Sequence, residues 1–195
     1  MDLIAGNQVD RFVVESLLGA GGMARVYRVR NARLGSWHAL KVLRVPTPSI
    51  IERLLQEGRL QSTLSHPNIV SVTDIIDVNG VPGLVMEWVD GPSLSQLLAA
   101  HRLSRPQIDA VAAGLLDGVQ AAHARGLVHR DLKPGNVLML ATHDRLIPKI
   151  TDFGLAKALA DDMAGAVHTR TGAVMGSPAY ICLLYTSPSP RDGTK

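Results

Sequence analysis

Val128-His129-Arg130-Asp131-Leu132-Lys133-Pro134-Gly135-Asn136-Val137-Leu138 sets a carboxylate, an ammonium and an amide close together between short apolar runs. An Asp can take a proton from a hydroxyl, a Lys can sit beside a phosphate, and an Asn carbonyl oxygen can ligate a hard cation. A chain that leaves one strand, loops and enters another can aim Asp131, Lys133 and Asn136 into one cleft. A second carboxylate follows in Thr151-Asp152-Phe153-Gly154. The plain alternative is a charged, solvated loop, and the arrival of Asp152 after the next apolar run argues against it.

Such groups need elements to hold them. Residues 11–19 are β-branched and apolar and end at Gly19, which predicts a strand. Gly19-Ala20-Gly21-Gly22 follows, and then Val26, Tyr27 and Val29 alternate with arginines, which predicts a second strand. A turn this rich in glycine lets backbone amides approach an anion, and it also makes an ordinary tight hairpin. The dinucleotide-binding reading of such a turn requires a helix after it, and a strand follows instead. Trp37–Arg44 is a further strand candidate with Lys41 as a lone charge in an apolar run; alone, that is the pattern of a snorkelling edge lysine. Ser49-Ile50-Ile51-Glu52 reads as a capping box opening a helix with Ile51, Leu54, Leu55, Leu60 and Leu64 near helical spacing. Ser65–Val70 reads as a turn entering another strand, and Leu84–Asp90 as a buried strand running into a connector at Gly91. Ser93-Leu94-Ser95-Gln96 and Ser104-Arg105-Pro106-Gln107 both fit helix starts, the second opening a long apolar helix from Ile108 to Ala124 that belongs in a core.

Taken in order, these landmarks resemble the protein kinases, and among them the bacterial serine/threonine branch. His129–Asn136 resembles the family's catalytic loop and Asp152-Phe153-Gly154 its metal-binding triplet. The resemblance covers residues 11 to 181. It implies an α+β, two-lobed fold: an antiparallel-sheet small lobe at 11–89 after an extension at 1–10, and an incomplete helical large lobe at 90–181 that includes the activation loop. It implies transfer of the ATP γ-phosphate to a protein serine or threonine hydroxyl, with Mg2+ as the metal. Asp131 would orient the substrate hydroxyl and accept its proton, Lys133 would stabilise the transferring group, and Asn136 and Asp152 would hold the metal. The ATP site would comprise Gly19, Ala20, Gly21, Gly22, Val26, Ala39, Lys41, Glu57, Met86, Glu87, Val89 and Leu138. Within it Lys41 reaches the phosphates and pairs with Glu57 of the first helix, Met86 backs the pocket, and the backbone of Glu87 and Val89 holds adenine. Ala24 stands where the family has its third glycine. His66 reads as structural, His129 as a packing residue, and His123 as a packed or surface histidine. Thr169 and Thr171 sit where bacterial members are phosphorylated, with Arg130 as a partner for that phosphate and plain loop threonines as the alternative. Ser177-Pro178 matches the next family block.

Composition bounds the remaining readings. The chain has 195 residues, 46% hydrophobic and 19% charged, a globular balance. A net charge of +3 is spread along the chain rather than clustered, which excludes a nucleic-acid reading on this pattern. One cysteine, Cys182, excludes an internal disulfide framework and fits a reducing compartment. The start is no signal peptide and no stretch is apolar enough to span a membrane, so a cytoplasmic location is expected for this chain. Relatives of this type often continue into a membrane anchor, and phosphorylation in trans implies a homodimer. Residues 182–195 have turn composition and lack the family's next triplet, which suggests adapter or vector sequence joined to a truncated gene; the helix from Ile108 is then expected to be left partly exposed, with weak stability and activity as the consequence. Two rivals stand beside the protein kinase reading: a small-molecule phosphotransferase, and a silent nucleotide-binding or scaffolding module.

Overall fold

In a computed structural model, the structure describes residues 2–22, 24–129, 131–143 and 145–153, with Glu57 described by its backbone alone. Six strands form one antiparallel sheet: β1 (Gln8–Val9), β2 (Phe12–Ala20), β3 (Ala24–Asn31), β4 (Trp37–Leu43), β5 (Val72–Val78) and β6 (Val81–Glu87). Their order is β1-β2-β3-β4-β6-β5. β4 lies inside the sheet between β3 and β6, and its residues from Ala39 to Leu43 are buried, the burial expected of a central strand. Phe12, Val14, Tyr27, Val29, Leu40 and Val85 fill the core on one face. Helix α1 (Pro48–Ser62) closes the other, packing against β5 and β6 with Leu54 fully buried.

Among the described residues, the rest is mainly helical with one hairpin. Helices α2 (Leu94–Ala100) and α3 (Arg105–His123) precede a single 3-10 turn (Pro134–Asn136) and the antiparallel pair β7 (Val137–Ala141) and β8 (Leu146–Ile150). α3 rests on β8. The halves are stitched at several points. The Val70 N–H donates to the Ile150 carbonyl at 2.9 Å and the Ile150 N–H to the Asn68 carbonyl at 2.8 Å. After β6 the connector reaches Gly91, where an added Cβ would lie 1.9 Å from the Met139 carbonyl oxygen. Only glycine lets the connector pass that close to β7.

Several expectations need correction. α1 starts at Pro48, not after Ser49. Its cap is Thr47, whose hydroxyl accepts from the Ile50 N–H at 3.3 Å, because Pro48 fits the first helical position and brings the cap one residue before it. Glu52 is exposed on the helix and caps nothing. The turn expected at Ser65–Val70 does lead into a strand, β5 from Val72, with Ile69 bridging Ile150 on the way. The sheet takes in Gln8–Val9, inside the stretch read as an extension, since Val9 is buried and pairs with Phe12. α3 is only partly covered among the described residues, as expected: Val111, Gly118 and Ala122 are buried, while Ile108 is 48% and Leu116 70% exposed. The helix starts at Ser93 and Ser104 hold, with the Gln96 and Gln107 side chains each accepting the N–H of the cap residue at 2.8 Å.

Candidate active site

β3 and β4 pair so that Val26 faces Lys41 across the ladder, and β4 and β6 so that Ala39 faces Met86. One apolar cluster therefore gathers Ala39, Met86 and Val89, with Val26 and Leu138 packed against it. Leu138 arrives from the other half because its strand bridges Ser93, next to the connector. Residues expected to wall a nucleotide base thus come together from β3, β4, β6, the connector and β7. Gly19 and Ala20 end β2, and the Gly21 N–H donates to the Ala24 carbonyl at 2.9 Å, closing the glycine turn; Gly22 lies within the turn.

The polar groups converge just below. Lys41 is buried at 6% exposure, and its Nζ donates to Oδ1 of Asp152 at 2.6 Å. Asp152, a third exposed, takes a φ of 62°, a left-handed conformation that Asp tolerates better than most residues. Its neighbour Thr151 donates its N–H to the Asn136 carbonyl at 3.0 Å. The Asn136 amide nitrogen donates to the Asp131 carbonyl at 2.8 Å and to Asp131 Oδ2 at 3.3 Å. Lys133 Nζ donates to the same Oδ2 at 2.6 Å. Lys41, Asp152, Asn136, Asp131 and Lys133 thus form one connected run, though 111 positions separate Lys41 from Asp152 along the chain.

His129 organises this run from beneath. It is 4% exposed, with its ring 4.8 Å from that of Phe153. A carbonyl can only accept, so Nε2–H donates to the Thr151 carbonyl at 2.8 Å. Nδ1 then accepts the Asp131 N–H at 3.3 Å. That is one neutral tautomer with both nitrogens used. Burial pushes its pKa down, against the Thr151 carbonyl and the charges of Asp152 and Asp131, which push it up. It is the packing residue expected, and it sets the backbone of Asp131.

The donor set suits a hard cation. Asp152 offers a carboxylate, and with the Asn136 amide nitrogen committed to Asp131 the amide oxygen is the end left to ligate. Lys41 was expected to pair with Glu57; its partner here is Asp152, and the Glu57 side chain lies outside the described residues, as do Arg130, Gly154, Thr169, Thr171, the Ser177-Pro178 block and residues 182–195. One pair went unforeseen. Lys149 on β8, 8% exposed, donates to Oε2 of Glu87 at 3.0 Å and is ion-paired with its Oε1 at 2.8 Å, and Glu87 also accepts the Ser71 N–H at 3.4 Å. The signal was present, since Lys149 is a lone charge in an apolar run just as Lys41 is.

Comparison with known proteins bears on this arrangement directly. The family model described as the protein kinase domain matches residues 12–182. The chain belongs to the protein kinase family. Among curated kinases it is 41% identical over 180 residues to PknA, a serine/threonine-protein kinase of Mycobacterium tuberculosis, covering 88% of this chain and 40% of that one. It is 36% identical over 184 residues to the serine/threonine-protein kinase Pkn1 of Myxococcus xanthus, covering 92% of this chain and 26% of that one. The chain therefore spans about a quarter to two fifths of the length of these kinases. The PknI kinase domain of Mycobacterium tuberculosis superposes with a TM-score of 0.66 at 30% identity, over 80% of this chain and 64% of that one. The apo form of PpkA-294 superposes at 0.74 with 21% identity, over 85% of this chain and 66% of that one, a likeness of fold. The α+β kinase fold, with its antiparallel sheet and adjoining helical half, is thereby shared. Among the described residues no helix is long and apolar enough to cross a membrane.

Proposed function

We propose that this kinase transfers the γ-phosphoryl group of ATP to a serine or threonine hydroxyl of a protein. The observation that carries the reading is the connected run from Lys41 to Lys133, which collects two carboxylates, two ammonium groups and an amide beside an apolar wall. Val26, Ala39, Met86, Val89 and Leu138 form that wall, and the backbone of Glu87 and Val89 is the edge available to a base. The N–H groups of the turn at Gly19–Gly22 and the Lys41 ammonium would take the phosphates. Asp131 would orient the acceptor hydroxyl and take its proton, and Lys133 beside it would offset charge growing on the transferring group. Asn136 and Asp152 would hold a divalent cation, Mg2+ being the one this chemistry ordinarily uses, which supplies charge neutralisation to the phosphate oxygens.

One observation favours a second reading. The Lys41 ammonium sits on the carboxylate that a cation would need, and a chain locked that way would bind nucleotide without turning it over. Labelled ATP with casein-type and aminoglycoside acceptors decides between the readings. Asp131→Asn should lower transfer to protein by roughly 10²–10⁴-fold while nucleotide affinity stays within about twofold. Transfer to the aminoglycoside alone would move the substrate class, and a wild type that binds nucleotide yet stays silent would leave a nucleotide-binding module.

A further inference from the structure

A cleft of about 180 Å³ opens on the side of the sheet turned away from Lys41, lined by Asp2, Arg25, Tyr27, Val42, Leu43 and Arg44. Its position follows from strand alternation. Val26 pairs with Lys41, so Arg25, paired with Val42, presents the opposite face. Arg25 and Arg44 both line the cleft, together with the buried Val42 and Tyr27.

The N-terminal segment lies in this cleft. Asp2 Oδ1 is ion-paired with Arg25 Nη1, the Leu3 N–H donates to the Tyr27 hydroxyl at 3.4 Å, and Leu3 packs on the adjoining core. Arg44 Nη1 donates to the Gly21 carbonyl, in the glycine turn, at 3.1 Å. Among the lining residues two cations face one carboxylate, which leaves a formal charge of +1 in the cleft. The Asp2 side chain is 65% exposed, and an ion pair so open to water is weak. A phosphate group could satisfy both guanidiniums at once, through charge-assisted and bidentate hydrogen bonds that a single carboxylate cannot make.

We propose that this cleft is a binding site for a phosphate group, inorganic or carried on a phosphorylated side chain, that Asp2 occupies as a displaceable internal stand-in. Filling it draws Arg44 off the Gly21 carbonyl and loosens the glycine turn on the other side of the same strands. The binding step stands apart from the kinase reading; its effect on nucleotide rests on that reading.

Calorimetric titration of the whole chain with inorganic phosphate tests the site, without nucleotide and with ionic strength held constant by chloride. One saturable site is expected. Asp2→Asn should tighten it by about threefold, because the competing carboxylate is gone. Arg25→Gln should weaken it by about tenfold or more. Both substitutions are at the surface, and circular dichroism checks that each variant is folded. No saturable binding, or equal affinity in wild type and both variants, overturns the proposal: such phosphate is an adventitious ion only or sits at Lys41. A phosphoserine peptide binding at least tenfold tighter than inorganic phosphate, with its unphosphorylated twin inert, assigns the source to a phosphorylated protein; equal affinity assigns it to free phosphate. The coupling is read with a fluorescent ATP analogue. Phosphate should weaken its binding in wild type but not in Arg25→Gln, and an equal loss in both overturns the coupling. An analogue that fails to bind at all strikes the kinase reading and leaves the calorimetry to judge the site.

Discussion

His129 shows how a residue far from any reacting atom can govern one that would be near it. Both ring nitrogens are satisfied in one neutral tautomer, Nε2 on the Thr151 carbonyl and Nδ1 under the Asp131 N–H. Protonating Nδ1 removes the acceptor of that last bond, and burial disfavours the charge as well. The folded state therefore binds this proton less readily than the unfolded chain, whose histidine titrates near about 6.5. When the unfolded state binds more protons, stability rises with pH. The contribution is thus fully present above about pH 6.5 and declines as the pH falls below it. Urea unfolding at pH 7.5 and at pH 5.5 should show a loss of stability on acidification in the wild type. His129→Gln, which keeps a donor for Thr151 without the titration, should show a smaller loss. His38, lowered by burial and by nearby Arg11, acts in the same direction and is common to both proteins, so the difference between them belongs to His129. An identical loss in the two proteins would remove His129 from this account.

At the scale of elements, the site depends on how β8 is fastened to the sheet. Backbone bonds join Ile150 to Asn68 and Val70, and Lys149 reaches across to Glu87 at the start of the connector. This pair links the strand that delivers Asp152 to the edge that would face a base. Removing one partner of a fully buried ion pair costs about 3–5 kcal/mol, and the partly exposed Glu87 reduces that here to about 1–3 kcal/mol. Lys149→Met, which keeps the bulk, should lower the unfolding free energy by that amount in urea titrations; a change within about 0.5 kcal/mol would show the pair to be incidental. The sequence announced each landmark of the site but not how they meet. Lys41 and Asp152 were legible from residue type and order along the chain, whereas their direct contact depends on β4 and the end of β8 arriving at one place, which no local pattern encodes. Local chemistry also misled at the start of α1, where a good Ser-x-x-Glu pattern lost to Thr47 because Pro48 fits the first helical position. The hairpin between β5 and β6 was readable and passed over: Asn79 and Gly80 both have positive φ, as an Asn-Gly turn requires.

For the whole molecule, burial is divided unevenly, and this decides where substitutions matter. The buried interior is split between the two faces of the sheet, with Leu40, Val29 and Val85 fully buried on one and Leu54 of α1 fully buried on the other. α3 shares little of it. Its Ala, Val and Leu content suits a core, but a sequence does not say what lies against each face; among the described residues Val111, Gly118 and Ala122 are buried and Leu115, Val119 and Ala121 partly so. Two leucines on helices therefore have opposite weight. Leu54→Ala removes a side chain with no exposure and leaves a cavity against Leu84 and Val70 in its cluster, so it should cost about 2–5 kcal/mol. Leu116→Ala removes a side chain that is 70% exposed and should change stability by no more than about 0.5 kcal/mol, with alanine's higher helix propensity tending to offset the slight loss of packing. Urea unfolding of the two variants beside the wild type measures both. A large loss at Leu116 would mean that α3 is covered by something its described neighbours do not include, and the sheet with α1 would then no longer be where the stability of this chain is concentrated.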